Sequence, residues 1–330
     1  MVFWRRGIWL LLLALLASGC ARKEAMVTTA AGLRKVVLQT DWFPQAEHGG
    51  FYQALAKGFY REAGLDVEIL PGGPGATIKL SVAKGLADFG IYRSDDVIVA
   101  ASRGLPLVMV GAVLQHDPEA LLVHDSSPVR SLQDLSGRSV IAPPSMTWIP
   151  FVKKKYEIEF DLRPLNYGLA VFLADQNAIQ QCMMTSEPYF AEQRGVHVRT
   201  VPLASSGFDP YHTIMCRREL VRTSPEVVRA FVAASIRGWQ DYLQGDPAPA
   251  HALIQQRNPQ MSTGQLAYSR HALIAHALVT GDPARGEGIG QISVARIQQQ
   301  IDVLTEVKIL EVPVAATRVV TRAFLPAAAR

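Results

Sequence analysis

Cysteine is scarce in this sequence, with 3 residues among 330, and no group of Cys and His shows the spacing of a metal site. A small disulfide scaffold and a cysteine-ligated metal centre are therefore excluded, and we expect no metal. Beyond Cys20 only Cys182 and Cys216 remain. They either pair in an oxidising compartment or stay as two buried thiols, and the second interpretation is favoured.

A surplus of charge of one sign is also missing. The formal net charge is +4, and Arg5 and Arg6 supply two of these charges. A chain without a basic surplus lacks the electrostatic footprint of a nucleic-acid binder, so we expect no nucleic-acid partner. The sequence also contains no G-x-S-x-G elbow, no phosphate loop and no H-E-x-x-H pair. We therefore expect no catalytic residues and no cofactor.

A long apolar run occurs only at residues 8–17, and it follows Arg5 and Arg6 and closes on small residues directly before Cys20. The run is shorter than the roughly 20 apolar residues that span a membrane comfortably. This pattern predicts a signal peptide over residues 1–19, with Cys20 as the lipidated first residue of the mature protein. The alternative is an uncleaved anchor helix.

Residues 20–34 lack a hydrophobic period and are rich in small and polar types, so they are predicted to form a flexible tether. The protein is then exported and held to a membrane by lipid alone, facing the periplasm or the cell exterior. About 300 residues remain, which is enough for one large or two medium domains.

From Lys35 onward, strand-like apolar runs alternate with helix-like segments, a pattern typical of an α/β fold with layered sheets. A second α/β series follows His124, and after Ser224 the pattern is almost wholly helical, starting with Pro225 at a first helical position. The sequence predicts two lobes, with the chain crossing between them near 123–126 and 213–218. The predicted boundaries are 35–124 plus 217–315 for lobe 1, 125–216 for lobe 2, and 316–330 for a C-terminal tail.

Five segments in this order resemble one family: DWFPQAEHGGFYQALAKGFYREAGLDVEIL from residue 41, GLADFGI at 85–91, SLQDLSGRSV at 131–140, TSEPYFAE, and SPEVVRAFVAASIRGW. The family includes the thiamine-precursor, riboflavin and alkanesulfonate binders of ABC importers and the fungal thiamine-pyrimidine synthases. The resemblance implies a two-lobed periplasmic-binding-protein type II fold with two crossing strands and a helical C-terminal return. It also implies a monomer that holds a small molecule in the interlobe cleft and delivers it to an ABC permease and its ATPase.

Candidate ligand-binding residues follow the predicted strands, because the carboxyl ends of strands in open α/β sheets line the cleft. Trp42 is the first candidate for stacking on a flat ligand. The hydroxyl candidates stand at helix starts, where an N-cap role is the alternative. The complete set is Asp41, Trp42, His48, Tyr92, Ser94, Ser145, Glu187, Asp209 and Tyr211.

These candidates are acidic and aromatic, and Arg93 is the only cation at the same strand ends. The balance favours a neutral or cationic nitrogen heterocycle, such as a thiamine pyrimidine precursor or a flavin, over a sulfonate or nitrate, which would need positive charge. We expect Trp42 and Glu187 to face one another across the cleft and to hold such a ligand together.

A synthase of the same fold is the enzyme alternative. In the synthases of this family, the strand that corresponds to DFGI is followed by a lysine that carries pyridoxal phosphate and, four residues on, by a histidine. Tyr92 and Asp96 occupy those places here, and the cysteine-rich segment is missing. Without an amine at this place a Schiff base cannot form, so we expect no such activity.

Overall fold

The computed structural model describes residues 28–30 and 32–326. Within these residues the chain forms two separate five-stranded mixed sheets flanked by helices, which confirms the predicted two-lobed α/β architecture. The strands are β1 (Arg34–Gln39), β2 (Leu65–Leu70), β3 (Phe89–Arg93), β4 (Leu107–Leu114), β5 (Glu119–His124), β6 (Ser139–Ile141), β7 (Asp161–Arg163), β8 (Ile179–Met183), β9 (Val198–Pro202) and β10 (His212–Arg217).

Strand order separates the two lobes. The first sheet runs β2-β1-β3-β10-β4 and the second runs β7-β6-β8-β5-β9. In the first sheet, β1 is parallel to β2 and β3, whereas β10 is antiparallel to β3 and β4. The second sheet repeats this arrangement, with β6 parallel to β7 and β8, and with β5 antiparallel to β8 and β9.

Helices cover both sheets, and after β10 the described chain contains only helices and loops. The α-helices are α1 (Gly49–Ala56), α2 (Phe59–Glu62), α3 (Ile78–Ala83), α4 (Ser94–Ser102), α5 (Trp148–Tyr156), α6 (Ala170–Ala174), α7 (Glu187–Glu192), α8 (Arg218–Thr223), α9 (Pro225–Gln244), α10 (Ala248–Arg257), α11 (Thr263–Ala275), α12 (Val294–Glu306) and α13 (Ala316–Val319). Short 3-10 helices occupy Ala46–His48, Leu132–Leu135, Leu203–Ser206 and Pro283–Arg285.

Helices α1 and α9 approach one another closely over the first sheet. A Cβ atom at Gly238 would lie 2.2 Å from the carbonyl oxygen of Gly50, and a Cβ at Gly50 would lie 2.2 Å from the Trp239 ring. These contacts leave no space for a side chain at either glycine. The glycines therefore set the distance between α1 and α9, and through α1 they fix the loop that precedes it.

The chain crosses between the sheets at residues 115–118 and again at 203–211. These positions differ from the expected crossings near 123–126 and 213–218. Strand β5 belongs to the second sheet and β10 to the first, so the expected boundaries after residues 124 and 216 each lie at the far end of a strand. The cause is that the apolar runs of β4 and β5 are separated by only four residues, and local pattern does not encode the sheet that each strand joins.

Residues 316–326, expected as part of a tail, pack against the first lobe. Val319 is fully buried, and Val320 pairs with Met109 in β4 through an isolated bridge. Cys182 and Cys216 are both free and buried, in β8 and β10. Among the helices of residues 28–30 and 32–326, none combines the length and the hydrophobicity needed to cross a membrane.

Candidate functional site

The candidate site lies at one edge of the first sheet, where it meets the second lobe. Because β1 and β3 are parallel, their carboxyl ends reach the same edge, and this places Asp41 and Trp42 near Tyr92 and Arg93. Strand β10 runs the other way, so its first residue, His212, pairs with Arg93 at this edge. Side chains from three strands therefore converge here.

Asp41 lies between two imidazoles. Its Oδ1 is 2.7 Å from His48 Nε2, and its Oδ2 is 3.6 Å from His212 Nδ1. Burial raises the pKa of Asp41, but the interactions with His212 and His48 outweigh it and hold the pKa well below its usual range. Asp41 is therefore a carboxylate at neutral pH. It keeps 22% of its side chain exposed, whereas His48 keeps 2%.

His212 also reaches the first crossing, where its Nε2 lies 3.6 Å from Asp117 Oδ1. Burial lowers the pKa of His212, but the carboxylates of Asp117 and Asp41 outweigh it and raise the pKa to about 10. His212 is therefore a cation between two carboxylates. The network extends from the first lobe to the crossing.

Arg93 is buried at the same edge and contacts three carboxylates. Its guanidinium lies 3.1 Å from Asp95 Oδ2 and 3.2 Å from Asp117 Oδ2, and it also contacts Glu119, the first residue of β5. Burial raises the pKa of Glu119 to about 7, against the lowering effect of Arg93. Arg93 is thus fully engaged by protein carboxylates, and the side chain does not offer a free cation to an anionic ligand.

Trp42 directly follows Asp41 in the chain and is partly exposed. Its ring contacts Phe43 at a centroid distance of 5.7 Å and Tyr167 at 5.3 Å. Tyr167 belongs to the second lobe, in the loop between β7 and α6. The Trp42 backbone is fixed, since its carbonyl accepts hydrogen bonds from Thr40 Oγ1 (2.9 Å) and from the Gly72 amide (3.1 Å). An aromatic surface of the first lobe therefore meets the second lobe.

An amine lies beside Tyr92. Lys79 Nζ is 4.4 Å from the centroid of the Tyr92 ring and 2.6 Å from Asp96 Oδ1. This contact corrects the expectation that the site lacks an amine near residues 92 and 96. Sequence spacing did not reveal it, because Lys79 comes from the first turn of α3 rather than from β3.

The turn at residues 183–187, after β8, docks onto the first lobe. Thr185 is fully buried; its hydroxyl donates to the Glu47 carboxylate, and its carbonyl accepts a 2.7 Å hydrogen bond from Ser269 Oγ. Glu187 accepts from the Met183 amide at 2.8 Å. Burial raises the pKa of Glu187 to about 7, against these backbone hydrogen bonds and with a further contribution from Glu47.

Three of the predicted site residues, Ser94, Asp209 and Tyr211, form hydrogen bonds at the two crossings between the lobes. Ser94 is fully buried; its hydroxyl donates to Gln300 at 2.6 Å and accepts from the Tyr211 amide at 3.0 Å. Asp209 accepts from His116 and from the Asp117 amide, both at 2.8 Å. These contacts join the second crossing to α4, α12 and the first crossing, so the geometry gives Ser94, Asp209 and Tyr211 internal partners rather than a place at the cleft.

Ser145 lies exposed in the turn before α5, whereas the neighbouring Thr147 donates a hydrogen bond to Asp95 across the lobes. Of the predicted residues, the structure brings Asp41, Trp42, His48 and Tyr92 together on the first lobe, and it places Glu187 on the second. The functional candidates that sequence reasoning missed come from the crossings and from other elements. They are Lys79, Asp117, Glu119, Tyr167, Thr185 and His212.

This fold defines a class. Two open five-stranded α/β sheets linked by two crossings form the periplasmic-binding-protein type II fold. The periplasmic aliphatic sulphonate binding protein SsuA from Escherichia coli shares it with a TM-score of 0.66 at 16% identity, over 87% of this chain and 92% of that chain.

The sequence defines the family. Residues 45–250 match the family described as NMT1/THI5 like, and the chain belongs to this family. This confirms the resemblance seen in the sequence.

Among curated proteins, the riboflavin-binding protein RibY of Chloroflexus aurantiacus is 26% identical over 253 residues, which are 73% of this chain and 71% of RibY. The formylaminopyrimidine-binding protein of Halalkalibacterium halodurans is 25% identical over 258 residues, 75% of this chain and 77% of that protein. The 4-amino-5-hydroxymethyl-2-methylpyrimidine phosphate synthase THI11 of Saccharomyces cerevisiae is 25% identical over 268 residues, 72% of this chain and 75% of the enzyme. The relatives of this chain therefore include both binding proteins and an enzyme.

Proposed function

We propose that this protein is an extracytoplasmic solute-binding protein of an ABC importer and that it captures a small aromatic heterocycle in the interlobe cleft. One observation carries the proposal. Trp42 directly follows Asp41, whose carboxylate is held by His48, and the Trp42 ring touches Tyr167 of the other lobe. A flat face next to a fixed acceptor suits a planar ligand with N–H donors.

The charge of the site supports a neutral or cationic ligand. Arg93 and His212 are each paired with two or more carboxylates, and Lys79 is paired with Asp96. A sulfonate would have to displace these partners, and a carboxylate left unpaired in a buried place costs several kcal/mol. A pyrimidine precursor of thiamine or a flavin-like ring has no such requirement. The names of the two binding-protein relatives agree with this ligand class.

Delivery follows from the class of protein. The ligand-loaded form is proposed to dock on an ABC permease that its ATPase drives, with a single copy of the chain as the working unit. The signal peptide and the lipidated Cys20 lie outside the described residues, and export with lipid anchoring stays part of the proposal. The predicted motif before Cys20 is its support.

A thiamine-pyrimidine-synthase-like activity is the second candidate, because Lys79 places an amine next to Tyr92 and because synthases belong to the family. The amine is held in an ion pair with Asp96 at 2.6 Å, and an attack on the carbonyl of pyridoxal phosphate would first have to break that ion pair. We therefore propose binding without catalysis.

A thermal-shift screen of the purified protein tests the proposed function. The panel contains pyrimidines, flavins, thiamine and alkanesulfonates. A ligand at 100 times its Kd stabilises the folded state by about 2.7 kcal/mol, which moves the melting temperature measurably. We expect a shift with a heterocycle and none with sulfonates. A shift with sulfonates alone would contradict the proposed ligand class.

A further inference from the structure

Tyr167 combines three features that ordinary packing does not explain. Its φ is +60°, in the left-handed region that bulky residues rarely adopt. The residue is 57% exposed, although its ring is large and largely apolar. The ring nevertheless contacts Trp42 of the opposite lobe, with 5.3 Å between the centroids and 47° between the planes. Backbone strain of this kind clusters at ligand clamps and active sites.

The loop around Tyr167 is built to hold this conformation. Asn166 Oδ1 accepts a hydrogen bond from the Gly168 amide at 3.0 Å. The Gly168 carbonyl accepts a hydrogen bond from Gln180 Nε2 in β8 at 3.1 Å. The strained residue is therefore anchored to the second sheet on its C-terminal side, and its ring is directed at Trp42 by bonds that do not depend on the ring itself.

Trp42 is the fixed wall on the other side. Its carbonyl is held by Thr40 and Gly72, and a Cβ at Gly72 would lie 2.3 Å from the Thr40 carbonyl oxygen, so the glycine loop sits directly on the Trp42 turn. A fixed indole on the first lobe thus faces a phenol on an exposed loop of the second. Closing or opening the lobes changes the distance between these two rings.

We infer that Tyr167 is the second aromatic wall of the ligand site, so that the planar ligand stacks between Trp42 and Tyr167 when the lobes close. This inference rests on the proposed function. It means that the ligand gains its second stacking contact at the moment when the lobes close, because Tyr167 belongs to the second lobe. Stacked ring centroids lie about 4.5 to 7 Å apart, so a ring between the two walls needs at least about 9 Å between them. The two rings, whose centroids are 5.3 Å apart here, must therefore separate to admit the ligand. Each ring then contacts the ligand instead of the other ring.

Calorimetry with riboflavin and formylaminopyrimidine as probes tests the clamp. Tyr167→Phe keeps the ring and should bind within about twofold of the parent. Tyr167→Ala removes the ring, and Tyr167→Gly removes it while also accepting the positive φ without strain. Both should bind about tenfold to a hundredfold more weakly, the range expected for one stacking contact. If Tyr167→Ala and Tyr167→Gly weaken binding equally, the loss of the ring is responsible and the backbone strain is not.

The possible outcomes distinguish a wrong ligand class from a wrong assignment of Tyr167. A parent that binds neither probe contradicts the proposed ligand class, and this inference with it. A parent that binds a probe while Tyr167→Ala and Tyr167→Gly bind as tightly, or more tightly, contradicts the clamp alone. Equal weakening by Tyr167→Phe would also contradict it, because the hydroxyl rather than the ring would then be responsible.

Discussion

The guanidinium of Arg93, at the end of β3, contacts the carboxylate of Glu119, at the start of β5, so one buried ion pair joins the two sheets. Asp117, in the crossing between the lobes, contacts the same guanidinium at 3.2 Å. An arginine holding carboxylates from both the crossing and the second lobe resists changes in the lobe angle, since separating buried charges costs several kcal/mol. Arg93 is therefore a structural cation at the junction of the two lobes.

The first prediction concerns pH. The folded-state pKa of His212 is raised to about 10, above its ordinary 6.5, by Asp117 and Asp41 against burial. Its contribution to the unfolding free energy is therefore complete below about pH 6.5 and is lost as pH rises through about 10. His212→Gln should lower the unfolding free energy by about 1 to 3 kcal/mol at pH 6 and by clearly less at pH 10.

Urea unfolding of parent and variant at both pH values checks this prediction. His276→Gln is the control, because His276 is exposed at the end of α11. A loss that is the same at pH 6 and pH 10 would show that His212 contributes through packing rather than through its charge.

The second prediction concerns lobe closure. Thr185→Val preserves the shape of the side chain but removes the donor to Glu47, which leaves a buried carboxylate without this partner. The variant should therefore destabilise the closed form by about 1 to 3 kcal/mol of free energy relative to the open form. Ligand affinity should fall by several-fold, because affinity scales with the closed fraction.

Small-angle scattering without ligand, together with calorimetry, measures both effects. Thr223→Val is the matched control, since the Thr223 hydroxyl bonds only within α8, to the Glu219 carbonyl. An unchanged radius of gyration with unchanged affinity would rule out the 183–187 turn as a closing contact.

The architecture could be predicted from the sequence because strand and helix periods alternate cleanly. The positions of Asp41, Trp42 and Tyr92 at the carboxyl ends of parallel strands could be predicted because these residues follow or end apolar runs. The crossings could not be placed, because the apolar runs in β4 and β5 look alike and pairing is a tertiary property. Lys79 and Tyr167 were missed for the same reason. Each reaches the site from a different element, and the contact becomes visible only when the sheets are assembled.

The third prediction concerns the amine. Lys79 is paired with Asp96 at 2.6 Å, so pyridoxal phosphate should not form an internal aldimine with it. Mixing the protein with pyridoxal phosphate should give no aldimine absorbance band, and borohydride should trap no adduct on Lys79. A trapped adduct that Lys79→Arg abolishes would instead support the synthase-like alternative.

The fourth prediction concerns export. Cys20→Ala should release the protein from membranes or leave it unprocessed, because the modified thiol is then missing. Membrane fractionation and intact mass measure the outcome. The same mass shift and membrane association in variant and parent would contradict the lipidation motif.

Calorimetry of Trp42→Ala and Glu187→Gln tests the central claim, ligand capture between the lobes, with the heterocycle that the thermal-shift screen identifies. Leu86→Ala is the control, because Leu86 is 69% exposed beyond the end of α3. A stacked ring contributes about 1 to 3 kcal/mol and a charge-assisted hydrogen bond about 1.5 to 3 kcal/mol. Each site variant should therefore bind about tenfold to a hundredfold more weakly than the parent, with an unchanged melting temperature and an unaffected control. Parent-like affinity in both site variants would contradict the account.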